Sequence, residues 1–234
     1  MKKVSVAFII IFLFSFFGSS HGWYDKTHIA VGQVIGFDMA YNLAAPDVAK
    51  VKAYHVESYN HWYGCDEDEA ITPGLVKGQI QKYNLGIDGE QKGHLYGAIV
   101  AAVRAYQDVS GAHEFATYNL AYAGHYIGDL SMPLHNTAWD EFNASHRAFN
   151  DGIIENEVLA NLDKIKVYPI SIKTEEDLIE NIVRIASKAK ELGYRMKREN
   201  RDMTEEEAYG QISDSASLFK AVLEYVGYPE KKGK

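Results

Sequence analysis

The chain has 234 residues, of which 32 are Asp or Glu and 24 are Lys or Arg, for a formal net charge of -8. An acidic balance of this kind argues against charge-driven, non-specific capture of nucleic acid or anionic membrane. Cys65 is the single cysteine, which excludes an intrachain disulfide and leaves an apolar core or bound metal as the sources of rigidity.

Residues 1–22 read as a signal peptide: Lys2 and Lys3, an apolar run from Val4 to Phe17, then Ser20 and Gly22 as the small residues before a cut at Trp23. That run is short for a membrane span, and no later stretch is long enough for one. The expectation is an exported protein, secreted or periplasmic, with residues 23–234 forming a single domain.

Trp23 would open the processed chain. Its free α-amino group, with a typical pKa of about 7.7–8.0, and its own carbonyl oxygen form a chelate suited to a metal. His28 follows in the first turn of a helix that Thr27 is placed to cap, with apolar residues at helical spacing from Ile29 to Tyr41. Pro46 marks its boundary, Asp47 is placed to start a short helical segment, and Asp47 and His61 lie fourteen apart on loop-like sequence. From Cys65 to Gly93 periodicity is weakest; the acidic run Asp66 to Glu69 reads as a solvated face, and one short helix is expected over 76–83. Two strong helices follow, over 94–106 and 113–130.

The densest chemistry lies at His125-Tyr-Ile-Gly-Asp129-Leu-Ser-Met-Pro-Leu-His135. His125 and Asp129 share a helix face, and Pro133 turns the chain so that His135 returns on separate backbone. Two imidazoles and a carboxylate form a nitrogen and oxygen donor set of the type that binds zinc. His146 and Asn150 share a further helix face, where Asn150 is a weak donor and the neighbouring Asp151 has the better chemistry. Helix is expected to continue over 153–162. Thr174 and Thr204, each followed by acids, begin two last helices that carry no histidine. No run alternates as a strand would, so the class is all-α.

These residues resemble the zinc-dependent phospholipase C family and its relatives, the fungal single-strand-specific zinc nucleases. Trp23, His28, Asp47, His61, His125, Asp129, His135 and His146 match the family's ligand pattern in order, and Asn150 departs from it where the family has an acid. The resemblance implies a compact multi-helix bundle holding up to three zinc ions. Asp47, His61, His125 and Asp129 would hold one ion. Trp23, His28 and bridging Asp129 would hold the second, and His135 and His146, with Asn150 or Asp151, the third. It implies a phosphoric ester hydrolase that uses a metal-bound hydroxide, with Asp47 orienting or deprotonating the water. The substrate would be a phospholipid or another phosphodiester, with transient membrane-surface contact. A single-strand nuclease of the same fold is the first alternative. A non-catalytic exported metal-binding module is the second, and no protein partner is expected.

Overall fold

The computed structural model describes residues 23–85, 92–109 and 113–229. The signal peptide expected over 1–22 lies outside them. Eight α-helices account for most of the described residues: α1 (Asp25–Val34), α2 (Ala45–Glu57), α3 (Pro73–Ile80), α4 (Leu95–Asp108), α5 (His113–Ser131), α6 (Glu141–Asp151), α7 (Glu175–Glu199) and α8 (Glu205–Tyr225). Among the described residues the extended pairing is limited to one bridge, Tyr63 with Gly93, so the expected all-α class holds. None of their helices is long and apolar enough to cross a membrane.

The two C-terminal helices begin where the sequence places them. Thr174 and Thr204 each accept from the backbone N–H three residues on, and Asp177 and Glu207 reach back to the cap residue, forming two capping boxes. α7 then buries Leu178, Ile179, Ile182, Ile185, Ala186 and Ala189, a helical stripe. It stops at Asn200, whose φ of 49° suits asparagine.

α5 runs through the middle of the fold and touches α1, α2, α4, α7 and α8. Leu120, Ala121, Ala123, Tyr126, Ile127 and Leu130 are buried along it. Gly124 lets it approach α8: a Cβ there would stand 2.6 Å from the Phe219 ring.

Three local expectations change. α1 starts at Asp25 and ends at Val34, with Gly36 at a φ of 74° beyond it, so Thr27 lies inside the helix. Glu155 performs the capping, accepting from the Lys26 and Thr27 N–H groups at 3.1 Å each. Asp47 lies in the first turn of a helix, as expected, but that helix is longer than a short segment and His61 sits on helix rather than loop: a 3-10 turn over Ala40–Ala44 feeds α2, and a second one, Ser58–His61, ends it. Pro46 fits there because a helix start needs no N–H from it. Beyond Asp151 the chain forms turns and short 3-10 pieces, Val158–Ala160 and Leu162–Lys164, instead of continuous helix.

Candidate metal centre

Five helical segments send side chains to one buried point. α1 contributes His28, α2 Asp47, the turn after α2 His61, α5 His125 and Asp129, and the 3-10 turn Pro133–His135 gives His135. All six are buried, five of them fully and Asp47 at 8% exposure. α5 can hold His125 and Asp129 together because they are one helical turn apart. Gly128 between them makes room for His28, since a Cβ there would lie 2.4 Å from His28 Nδ1.

Each of three histidines is held by one ring nitrogen. His125 Nδ1 donates to the Leu43 carbonyl at 2.6 Å, and His135 Nδ1 to the His61 carbonyl at 2.6 Å. His61 Nε2 is 3.1 Å from Glu57 Oε1. Those bonds fix the tautomers and turn His125 Nε2 and His61 Nδ1 toward each other, 3.0 Å apart. Two lone pairs at that distance need a proton or a cation between them. Asp129 Oδ2 completes the approach, at 2.8 Å from His61 Nδ1 and 3.3 Å from His125 Nε2. Asp47 Oδ1 is 3.8 Å and 3.7 Å from the same two nitrogens.

On the other side, neither ring nitrogen of fully buried His28 makes a hydrogen bond, and Asp129 Oδ1 has none either. His28 Nε2 and Asp129 Oδ1 are 3.5 Å apart, and the His28 ring stacks on His125 at 3.8 Å. Buried polar atoms without partners are rare in folded proteins. Two ligands of a tetrahedral zinc at about 2.0–2.1 Å stand about 3.3 Å apart, so the 3.5 Å spacing of His28 and Asp129 fits an ion better than a hydrogen bond, while the 2.8 Å and 3.0 Å spacings about His61 are hydrogen-bond lengths. His28, His125 and Asp129 therefore form one group that could hold a metal ion, and Asp47, His61 and His125 form a second.

The electrostatics divide the cluster: burial lowers the His125 pKa, but the Asp129 and Asp47 carboxylates outweigh it and raise that ring above its ordinary value. Burial and the adjacent His125 push the His28 pKa down, and burial with Arg147 nearby pushes His135 well down, so both rings favour the neutral form. Burial works against ionising Asp47 and Asp129, but His125 foremost, with Lys50 beside Asp47, outweighs it and holds both carboxyls below their ordinary value. Neutral imidazole and ionised carboxylate are the forms that bind metal.

Trp23 is fully buried, and its indole N–H donates to Ser131 Oγ at 3.3 Å. The next residue ties this segment to the end of α6: Tyr24 N–H donates to the Asp151 carbonyl at 3.2 Å. The set expected for a third ion divides. Asp151 Oδ1 lies 3.6 Å from His135 Nε2. His146 instead pairs through Nδ1 with Asp202 at 2.7 Å. Asn150 donates to Asp202 at 2.7 Å and accepts from the Met203 N–H at 2.7 Å, so its amide ties α6 to the loop before α8. The reason is geometric: on α6, Asp151 points inward one residue beyond the face that His146 and Asn150 share.

The sequence reading passed over several participants. Glu57 is buried, holds His61, and accepts from the Tyr126 hydroxyl at 2.7 Å. Its position four before His61 on a helix was the available signal. Lys50 pairs with Asp47 at 2.5 Å, and Arg147 approaches Asp151 at 3.9 Å.

A cleft of about 500 Å³ opens over Asp47, lined by Tyr24, Asp25, Val48, Val51 and Glu155. Val48 and Val51 are 67% and 82% exposed, giving the cleft an apolar lip. The chain matches no family model, no curated protein and no solved structure among those compared.

Proposed function

We propose that the chain is an exported, zinc-dependent phosphoric ester hydrolase of phospholipase C type, working at the buried His and Asp cluster beneath the Asp47 cleft. The observation that carries this reading is the pair of overlapping ligand groups sharing His125, with orphaned buried atoms on His28 and Asp129 facing each other. When bound, a pair of divalent ions supplies a water whose pKa falls to about 7 and offsets phosphate charge. His61 and His125 present neutral nitrogens, oriented by Glu57 and the Leu43 carbonyl. Asp129, with one oxygen toward each group, holds the two together. Asp47 is the one acid of the two ligand groups that also lines the cleft, and its ionised carboxylate would orient the attacking water. Lys50 beside it keeps that carboxylate ionised.

The apolar lip favours a phospholipid, since Val48 and Val51 offer contact to acyl chains, while Tyr24 is the one aromatic of the lining on which a base could stack under the nuclease alternative. A panel assay on phosphatidylcholine, single-stranded nucleic acid and a simple phosphodiester separates the classes. Turnover of the lipid is expected; turnover of nucleic acid alone moves the reading to nuclease. Zinc binding without any turnover moves it to a binding module. Asp129→Asn should lose metal and activity together, and unchanged zinc content in that variant would overturn the ligand assignment.

A further inference from the structure

Arg147 is the buried charge that the hydrolytic reading leaves unused. It lies on α6, four residues before Asp151 and on the same face. Its residue exposure is 4%, yet Nε and Nη2 are buried without a hydrogen-bond partner. Its approach to acid is loose: Nε is 3.9 Å from Asp151 Oδ2, while Asp151 Oδ1 faces His135 Nε2 at 3.6 Å. The Trp139 ring lies over the guanidinium at 5.3 Å and is itself 55% exposed, so this corner sits just beneath the surface. Tyr24 links this corner to the cleft it lines: its ring packs on Gly152, where a Cβ would come within 2.7 Å, and its hydroxyl donates to the Ala148 carbonyl at 3.2 Å.

A guanidinium keeps its proton at any working pH and offers five donors in a planar fork. A metal ion set between His135 and Asp151 would meet that fixed positive charge. Buried donors without acceptors, beside a site for a phosphate ester, match two oxygens of one tetrahedral anion.

We propose that Arg147 is the built-in cation of the His135 and Asp151 corner, standing where a third ion would otherwise bind and clasping an oxygen pair of the substrate phosphate. This rests on the hydrolytic metal-centre reading above. The chain then binds two zinc ions, and the phosphate is held between them and Arg147.

The test is zinc content by elemental analysis and inorganic phosphate affinity by calorimetry, on protein produced from the full-length sequence. The wild type should carry two zinc ions. Arg147→Lys, which keeps the charge and loses the fork, should keep both ions and bind phosphate at least about 10-fold more weakly. Arg147→His should raise the count to three by completing a ligand trio with His135 and Asp151. Three ions in the wild type would overturn this inference and leave the hydrolytic reading standing. Two ions with unchanged phosphate affinity in both Arg147→Lys and Arg147→Gln would overturn the anion role alone. No bound zinc in the wild type would overturn the metal-centre reading and this one with it. The wild-type count needs no variant to fold.

Discussion

His61, His125 and His135 each use one ring nitrogen on a fixed acceptor, and that choice decides which nitrogen faces the cluster. Two of the acceptors are backbone carbonyls, which no substitution removes without moving the chain. The third is Glu57, whose carboxylate also accepts from Tyr126 at 2.7 Å and from Asn60 at 3.3 Å. Burial opposes its charge, but the bonds from His61 and Tyr126 hold its carboxyl below the ordinary value. Glu57→Gln removes that charge while keeping the shape. Partners of this kind typically account for about 10–100-fold in metal affinity. The variant should therefore bind zinc that much more weakly with its helical content intact, as titration with a competing chelator would report; equal affinity would show that Glu57 does not position His61.

At the scale of elements, α8 shows how local chemistry fixes a boundary. Glu207 closes the capping box with Thr204 and takes both Arg201 amino groups, at 2.8 Å and 2.9 Å. Arg201 holds the Glu207 carboxyl at about 2, below its ordinary 4.5. A carboxyl depressed in the folded state stabilises fully above its unfolded value and loses that contribution as pH falls through its folded one. Glu207→Gln should thus lower the melting temperature at pH 7, and the gap from wild type should shrink between about pH 4.5 and 2; a gap constant with pH would contradict the pairing. Thr174 and Thr204 were legible in the sequence because capping is local, as were α4, α5 and the turn at Pro133. The 47–61 stretch was legible only at its start, where Pro46 and Asp47 mark a helix beginning; it carries no clean apolar stripe, and the turns at its two ends meet α5 through the Leu43 carbonyl and the His61 ring, both against His125. For the site, His28, Asp47, His61, His125 and Asp129 were legible as ligand types at suggestive spacings. Lys50, Glu57 and Arg147 were not singled out, because their roles come from what tertiary packing sets beside them. Asn150 looked like part of the site by helical spacing, and its bonds to Asp202 and Met203 depend on a loop from the far end of the chain.

Over the whole molecule, the cluster joins segments from His28 to Asp151, while α7 and α8 close the core through Ile179, Ile182, Phe219 and Val222. Cys65 is buried and free, so no covalent staple assists. The centre gathers four buried acids: burial pushes the Asp151 carboxyl well above its ordinary value, toward the neutral form, while Asp47, Glu57 and Asp129 carry charge beside the fixed cations Lys50 and Arg147. Metal binding offsets that charge and couples directly to stability. Hydrolysis of phosphate esters through bound metal is the activity proposed for this centre. The most direct test is turnover of bis(4-nitrophenyl) phosphate before chelation, after chelation, and after zinc is restored. Hydrolysis that vanishes with the metal and returns with zinc is the predicted result; no turnover by zinc-loaded protein, or turnover indifferent to chelation, would contradict it.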